Sequence, residues 1–216
     1  MEGEHDYLNI SYNIKMKEII LASNNKNKLK ELKKELSKFG INVISQKEAG
    51  FDFEVEENGK TFKENAEIKA RAVYNLTHKP TIADDSGLCV DYLNGEPGIY
   101  SHRFAGENAT DDDRIDKLLK MLEGVETSKR GCHYTCAVCF IDKDGKSHFW
   151  EEYLNGTIGF EKKGANGFGF DPIVVLEDGR HVAELSMNEK NKISHRGKAI
   201  REFTNAINLS KRDGSF

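Results

Sequence analysis

The chain has 216 residues, enough for one domain with a sizeable core, and a formal net charge of -4 from 32 Lys and Arg against 36 Asp and Glu. This charge balance argues against binding to duplex nucleic acid or to an anionic membrane surface. No run approaches the roughly 18 apolar residues of a membrane-spanning helix, and the acidic N-terminus is unlike a secretory signal. We therefore expect a soluble, cytoplasmic protein.

The N-terminal part of the chain alternates between strand and helix patterns. Residues 1–15 are polar without a clear period and are predicted to be a disordered extension before a domain at 16–210. Short apolar runs predict strands at Ile19–Ala22 and Asn42–Ser45, and a helix ending at Gly40 is predicted between them. The inward residues of this helix would be Leu29, Leu32, Leu36 and Phe39.

A second helix and strand follow. The pattern Thr61-x-x-Glu64 is a capping box, which predicts the start of a helix. Pro80 closes that helix, and Thr81–Ala83 predicts the next strand, with two aspartates just beyond its end. The inward face of the helix would comprise Phe62, Ala66, Ala70, Val73 and Leu76.

The second half of the chain predicts a helix, three strands and a last helix. Thr110 and the three aspartates after it suit a helix N-terminus, where negative charge interacts favourably with the helix dipole. The buried face of that helix would be Ile115, Leu118, Leu119 and Leu122. The later elements would be strands at Cys132–Ile141, Ser147–Leu154 and Pro172–Leu176, a helix at Ser194–Leu209 and a tail at 211–216. The first two strands would form a hairpin through the turn Asp142–Gly145. This order predicts an α/β domain with a mixed β-sheet flanked by helices.

The four cysteines are Cys89, Cys132, Cys136 and Cys139, of which the last three form C-x3-C-x2-C. Zinc sites usually use two close pairs on turns, whereas these three lie in an apolar run that resembles a buried strand. We interpret them as packing residues, with a metal site or a disulfide as the alternative.

One candidate ligand site is Ser23–Lys28, between a predicted strand and a predicted helix. Free N–H groups at a helix start attract phosphate, and Lys28 adds a positive charge. The P-loop pattern G-x4-G-K-[ST] is absent from the chain. An Asn-rich helix cap without a ligand is the alternative interpretation.

Four carboxylates form a second candidate site. Glu56 and Glu57 precede a turn, and Asp84 and Asp85 follow a predicted strand at the rim of the sheet. Oxygen ligands from two segments suffice for Mg²⁺, which keeps several waters for phosphates. Because successive strand side chains point to opposite faces, Asp84 and Asp85 need not share a role. A solvated Asp-Ser-Gly turn is the alternative.

A glycine-rich loop at Gly164–Pro172 is the third candidate. Its glycines allow the backbone to approach a ligand closely, and Phe168 and Phe170 suit stacking on a base. Asp171 is placed to accept a hydrogen bond from a ring N–H. A loop with one Phe tucked beneath it is the alternative.

The fourth candidate is Ile193–Lys198, at a helix start. His195 and Arg196 can donate to a carbonyl oxygen on a base edge, and Lys190 and Lys192 can meet phosphate. A solvated basic helix start is the alternative. Together, the four segments supply the groups of a nucleoside triphosphate site.

Five segments of the chain, in the same order, resemble those of the inosine/xanthosine triphosphate pyrophosphatases. They are SNNKNKLKEL (Ser23–Leu32), EENGKTFKENAEIKA (Glu56–Ala70), ADDSGLCVDYLNGEPGIYSHRFAG (Ala83–Gly106), GFGFDPI (Gly167–Ile173) and AELSMNEKNKISHRGKA (Ala183–Ala199). The family's opening pattern T/S-x-N-x-x-K is met by Ser23, Asn25 and Lys28. The resemblance spans Met16 to about Leu209.

The resemblance implies an elongated α/β fold with two lobes and a central active-site cleft, and a homodimer. It implies hydrolysis of ITP, dITP and XTP to the monophosphate and pyrophosphate, with Mg²⁺ as cofactor, which clears deaminated purines from the nucleotide pool. The partners would be purine nucleoside triphosphates, without nucleic acid or membrane.

The resemblance also implies roles for individual residues. Glu57 and Asp85 would hold Mg²⁺, and Asp85 would activate water, with Asp84 and Lys28 as the other catalytic residues. Substrate would be bound by Ser23, Asn24, Asn25, Lys26, Asn27, Lys28, Lys69, Ser86, Phe168, Gly169, Phe170, Asp171, Lys190, His195 and Arg196. The separate Ser101-His102-Arg103 stretch is assigned to loop structure.

Two other functions use overlapping groups. A pyrophosphatase for modified pyrimidine triphosphates would share the carboxylates but need a different base pocket. A non-catalytic nucleotide sensor would keep the phosphate loop and the aromatic residues, but would not need water-activating carboxylates, and their presence argues against it.

Overall fold

A six-stranded mixed sheet forms the centre of the computed structural model, which describes residues 18–212. The strands are β1 (Glu18–Leu21), β2 (Asn42–Ser45), β3 (Thr81–Val90), β4 (Gly131–Ile141), β5 (Ser147–Ile158) and β6 (Val174–Val175). Their spatial order is β2-β1-β3-β4-β5-β6. Strand β1 runs parallel to β2 and β3, and the other neighbours are antiparallel. The predicted α/β class with a mixed sheet is confirmed. The predicted disordered extension at 1–15 lies outside the described residues.

The helices begin at the polar caps that the sequence provides. They are α1 (Lys26–Ser37), α2 (Phe62–Thr77), α3 (Asp111–Met121), α4 (Met187–Ile193) and α5 (His195–Arg212). Asn25, Thr61, Thr110 and Ser186 each accept hydrogen bonds from backbone N–H groups of the first turn of the following helix. Within residues 18–212, no helix combines the length and the apolar character needed to cross a membrane.

Several predictions about elements differ from the structure. The last helix, predicted at Ser194–Leu209, is observed as α5 and continues to Arg212, whereas the preceding helix α4 was not predicted; the extended backbone of Ser194 separates the two. The predicted strand at Pro172–Leu176 shortens to β6, because a turn bonds the Ile173 N–H to the Phe170 carbonyl. Leu76 is 55 % exposed rather than buried.

Helices cover both faces of the β1–β4 part of the sheet. On one face, Leu36 of α1 and Phe203 of α5 pack in a cluster that contains Ile82 of β3. On the other face, Ala66 and Val73 of α2 pack with Ala83. A third cluster joins α3 to β3, β4, β5 and β6 and to Phe170. The cysteines of the C-x3-C-x2-C motif lie buried in β4, in the packing positions predicted for them.

Strand β3 is longer than predicted, and this changes the setting of the two aspartates. It continues through Asp84 and Asp85 to Val90 because β4 provides a partner for every one of its residues. On its other edge, β1 pairs only as far as Ile82. Beyond that point, no strand in the described part of the chain pairs with this edge before the isolated bridge at Cys89. Asp84 and Asp85 therefore lie at a lateral edge of the sheet, and the prediction that they follow the strand was wrong.

Candidate active site

Asp84 and Asp85 point to opposite faces of β3. Ile82 belongs to the cluster under α1 and α5, and Ala83 belongs to the cluster under α2. The two-residue period of a strand then places Asp84 on the first face and Asp85 on the second. Their partners agree with this assignment, since Asp84 contacts Lys28 and Arg196 and Asp85 contacts Lys69.

Asp84 is held between two cations. The Lys28 Nζ atom lies 2.8 Å from Asp84 Oδ2, and the Arg196 Nε atom lies 3.1 Å from the same oxygen. Burial alone would raise the pKa of Asp84, but the charges of Lys28 and Arg196 outweigh it and hold this pKa well below its usual range. Asp84 is therefore an ionised carboxylate at neutral pH, and it anchors both cations.

Arg196 is almost completely engaged with the protein. Besides its bond to Asp84, its Nη2 donates to Ser86 Oγ over 3.0 Å, and only 7 % of the residue is exposed. Its Cζ atom lies 5.9 Å from the centre of the Phe168 ring. The guanidinium thus connects β3 to the glycine-rich loop. Because its Nε and Nη2 groups already donate to Asp84 and Ser86, it is less available to donate to a base.

Asp85 lies among groups of both charges. Lys69 Nζ is 3.0 Å from Asp85 Oδ1 and 2.9 Å from Glu57 Oε1, so one ammonium joins the two carboxylates. Asn65 Nδ2 donates to Asp85 Oδ2 over 3.3 Å. Desolvation and repulsion from Glu57 raise the pKa of Asp85 despite the attraction of Lys69. Burial would lower the pKa of Lys69, but Asp85 and Glu57 raise it above its usual value.

The carboxylates of Glu57 and Asp85 fit a hard divalent cation. They come from different segments and both contact the Lys69 ammonium, so the structure already directs two oxygen ligands at one cation. Two protein carboxylates are a typical number for Mg²⁺. Among the described residues, no three His, Cys, Asp or Glu side chains group as a ready-made metal site. Glu56 is exposed, and Glu57 is half-buried.

The Ser23–Lys28 segment connects β1 to α1 beside the edge of β3. Several of its backbone amides are already satisfied, because Ser23 Oγ accepts from the Asn25 N–H and Asn25 Oδ1 accepts from those of Asn27 and Lys28. Asn25 is therefore the N-cap of α1, and fewer free N–H groups face a ligand than the sequence suggested. The exposed polar side chains of the segment are Asn24, Asn25, Lys26 and Asn27.

The glycine-rich loop presents one of its two aromatic rings. Phe168 is 48 % exposed, and Lys190 Nζ lies 4.5 Å from the centre of its ring. Phe170 is buried and packs edge-on against Phe104, with ring centres 6.4 Å apart. Its burial does not support the expected base contact, because an apolar ring next to Asp171 is needed to fill the core beneath the loop.

Asp171 organises this loop from below. Its Oδ1 accepts from the Tyr134 hydroxyl over 3.2 Å, its Oδ2 accepts from the Phe168 N–H over 2.9 Å, and Lys190 Nζ also contacts Oδ2. A Cβ on Gly167 would lie 2.0 Å from Oδ2, so the turn requires glycine there. Both oxygens are thus occupied by protein donors, and the prediction that Asp171 accepts from a base is not supported by this geometry.

His195 lies flat against Tyr134. The ring centres are 4.8 Å apart and the rings are 10° from parallel. Desolvation and the nearby Arg196 and Lys190 charges lower the pKa of His195 well below its usual value, so the ring is neutral near pH 7. The His195 Nδ1 atom is buried and has no hydrogen-bond partner within the described residues.

Three residues that support the site were missed by sequence reasoning. Tyr134 lies in β4, where the apolar run hid its hydroxyl. Asp111, interpreted only as a helix-start charge, accepts from the Gly169 N–H over 2.7 Å. Asn65 was detectable, because it is a polar residue on the inward stripe of α2, three positions after Phe62. Ser101 has the structural role expected for it, accepting from the Leu88 N–H.

Known proteins resemble this chain over most of its length. The model of the Ham1 family matches residues 19–206. A dITP/XTP pyrophosphatase from Bacillus licheniformis is 45 % identical over 190 residues, which cover 88 % of this chain and 97 % of that protein. A dITP/XTP pyrophosphatase from Bacillus subtilis is 43 % identical over 193 residues, covering 89 % of this chain and 98 % of that protein.

Solved structures have a similar fold. The Ham1 protein from Coxiella burnetii superposes with a TM-score of 0.85 at 41 % identity, covering 90 % of this chain and all of that one. The Ham1 protein from Staphylococcus aureus gives a TM-score of 0.83 at 40 % identity and covers 91 % of this chain. Sequence and fold agree over the same residues, and the chain belongs to the Ham1 family.

Proposed function

We propose that this protein hydrolyses the non-canonical purine nucleoside triphosphates ITP, dITP and XTP to the monophosphate and pyrophosphate, with Mg²⁺ as cofactor. The names of the Bacillus relatives, both dITP/XTP pyrophosphatases, support the reaction and the substrate class. A role in clearing deaminated purines from the nucleotide pool follows from that activity. A cytoplasmic location remains a prediction from the composition and a homodimer remains a prediction from the family resemblance, and light scattering after size exclusion tests the dimer.

The observation that carries the proposal is the division of charge across the open edge of β3. Lys28 and Arg196 lie on the Asp84 face, and Glu57, Lys69 and Asp85 lie on the other. A triphosphate crossing this edge would meet cations for its oxygens and carboxylates for a divalent ion. Negative charge that develops during hydrolysis is stabilised by donors fixed in advance, which is commonly the largest catalytic contribution.

Asp85 is assigned to the attacking water. A bound Mg²⁺ supplies charge neutralisation at the phosphate oxygens and a more acidic water. Glu57 and Asp85 would hold this ion, and Asp85 would also orient the water for attack on the α-phosphorus. The raised pKa of Asp85 makes it a better proton acceptor than an ordinary aspartate. Lys28 would stabilise charge on the departing pyrophosphate, and Ser23–Lys28 with Lys69 would contact the phosphate chain.

The exposed Phe168 ring is assigned to base stacking, and His195 to the base edge. His195 is neutral, and its buried Nδ1 has no hydrogen-bond partner among the described residues. Its proton is therefore expected on Nε2, because an N–H without an acceptor is costly to bury. The Nε2–H group would donate to the 6-oxo group of hypoxanthine or xanthine. Adenine carries an amino donor at that position, so the His195 Nε2–H group would be left without an acceptor, at a cost of about 1–3 kcal/mol.

The proposal is tested by supplying ITP, XTP, dUTP and GTP in turn with Mg²⁺ and measuring pyrophosphate. We expect rapid release from ITP and XTP, and little from dUTP and GTP. Orthophosphate as the first product, or no turnover of ITP, would refute the proposal. A preference for dUTP would assign the protein to modified pyrimidines instead.

Phe168→Ala is expected to raise the KM for ITP by about 10- to 100-fold, because stacking on an aromatic ring contributes roughly 1–3 kcal/mol per base. The kcat value should change much less, since the ring lies away from the carboxylates. Steady-state kinetics with ITP measure both. Phe160→Ala is the matched control, because Phe160 is even more exposed, at 65 %, and stacks on Arg130 instead. An unchanged KM in Phe168→Ala would remove the stacking role.

Lys69→Met is expected to strengthen Mn²⁺ binding by nucleotide-free protein by about tenfold or more at about pH 8. The Lys69 ammonium occupies the position between Glu57 and Asp85 that a divalent ion would take, and charges at such distances interact by several kcal/mol even in a partly solvated site. Electron paramagnetic resonance of free Mn²⁺ measures the affinity. Lys63→Met, on the same helix but half-exposed, is the control. Weaker Mn²⁺ binding in Lys69→Met would contradict the assignment of this position to the metal.

A further inference from the structure

We propose that Asn65 is a positioning residue for the reaction, which joins the segment bearing Glu57 to Asp85 and fixes the orientation of the Asp85 carboxylate. Asn65 is completely buried, on a helix face otherwise built from small apolar residues such as Ala66 and Ala70. A buried amide is costly unless its polar atoms are bonded. Its partners therefore indicate what it does.

Each end of the Asn65 amide contacts a different part of the site. Its Oδ1 accepts from the Gly59 N–H over 2.9 Å, and its Nδ2 donates to Asp85 Oδ2 over 3.3 Å. The backbone N–H of Gly59 can only donate, so the oxygen of the amide must face Gly59 and the nitrogen must face Asp85. The Asn65 amide therefore has a single orientation, with its oxygen towards the loop and its nitrogen towards the Asp85 carboxylate.

Gly59 shows that the loop is built around this contact. A Cβ at this position would lie 2.7 Å from Asn65 Oδ1 and 2.8 Å from Glu64 Cβ, closer than side-chain atoms pack. Gly59 follows Glu57 by two residues, so its anchoring limits where the Glu57 carboxylate can lie. Glycine here permits the backbone approach that the Asn65 bond needs.

Asp85 is held by α2 at both of its oxygens. Lys69, one helical turn after Asn65, contacts Oδ1, while Asn65 contacts Oδ2. Two donors on one helix fix the plane of the carboxylate, as well as its distance from the Glu57 segment. This inference rests on the proposed function of Asp85, because an error of about 1 Å in the position of a catalytic group can cost roughly 100-fold in rate.

The test combines kinetics with a measurement that needs no substrate. Asn65→Leu keeps the branched shape and removes both bonds, and we expect kcat for ITP to fall by about 100-fold. The KM for ITP should change by less than about threefold, because Asn65 contacts none of the groups assigned to the base, and Lys28, assigned to the phosphate, lies on the Asp84 face of β3. Mn²⁺ binding by the nucleotide-free protein should weaken several-fold, as Glu57 and Asp85 separate.

Two further variants distinguish positioning from general stability. Thr61→Val removes the hydroxyl that accepts from the Glu64 N–H but keeps the Thr61 carbonyl that accepts from the Asn65 N–H. It should lower Tm through the lost N-cap of α2 without changing kcat or Mn²⁺ affinity. Gly59→Ala leaves the Asn65 side chain in place but blocks its approach to the loop, and it should reproduce the loss of Mn²⁺ affinity. If Asn65→Leu does not fold, Asn65→Ser relieves the packing and is measured in the same way.

Folded Asn65→Leu or Asn65→Ser protein with kcat within twofold of the wild type and unchanged Mn²⁺ affinity would overturn the inference. An equal loss of kcat in Thr61→Val would also overturn it, because the effect would then be one of helix stability. Failure of the proposed function gives a different result, namely wild-type protein that releases no pyrophosphate from ITP. In that case the Mn²⁺ measurement still decides whether Asn65 positions the two carboxylates.

Discussion

Asp85→Asn is expected to lower kcat for ITP by about 100- to 10,000-fold, the range that a positioned acid or base contributes. Asparagine has nearly the same shape but cannot accept a proton at neutral pH. ITP should still bind, because the groups assigned to the base and the phosphates belong to other residues and are unchanged in this variant. Single-turnover pyrophosphate release measures the chemical step, and calorimetry with ITP measures binding.

The stability of Asp85→Asn separates this effect from unfolding. The pKa of Asp85 is raised in the fold, so the ionised form is less favourable there than in the unfolded chain. A neutral side chain is therefore expected to leave Tm unchanged or higher. Asp178→Asn changes an exposed carboxylate paired with Arg180, and this control should keep full activity. An active Asp85→Asn enzyme would remove the role assigned to Asp85.

Asp84→Ala is expected to lower the free energy of unfolding by about 3–5 kcal/mol, the typical cost of breaking a buried ion pair from one side. Lys28 and Arg196 would lose the carboxylate oxygen that both contact, and the Arg196 charge would remain buried without its nearest counter-charge. Urea unfolding monitored by circular dichroism measures the loss. Asp178→Ala removes a carboxylate paired with Arg180 at the surface and should cost far less.

The same ion pairs predict how stability depends on pH. The folded pKa of Asp84 lies below that of the unfolded chain, so its contribution is complete at neutral pH. This contribution is lost progressively as the pH falls from about 4, the pKa of an unperturbed aspartate, towards the lower pKa of Asp84 in the folded protein. The stability difference between wild type and Asp84→Ala should therefore shrink in that acidic range. A difference that stays constant down to pH 2 would contradict the pairing.

Local patterns were sufficient for most of the elements. Capping residues such as Thr61 and Thr110 marked helix starts, because their side chains satisfy N–H groups that a helix leaves free in any fold. The apolar runs of β1, β2 and β4 and the turn of the β4–β5 hairpin matched the observed strands. The length of β3 was not predictable locally, because polar Asp84, Asp85, Ser86 and Gly87 favour a turn until β4 provides their hydrogen-bond partners.

The sequence by itself determined the family, the fold class and which residues are candidates for the site, because motifs and periodicity depend on neighbours along the chain. Only the tertiary structure decided which of those residues contact one another, and therefore which role each of them is assigned. Asp84 joins Lys28 to Arg196, and Asp85 joins Asn65 to Lys69. These partners are distant in sequence, and the contacts exist because a strand directs adjacent side chains to opposite faces, each covered by different helices.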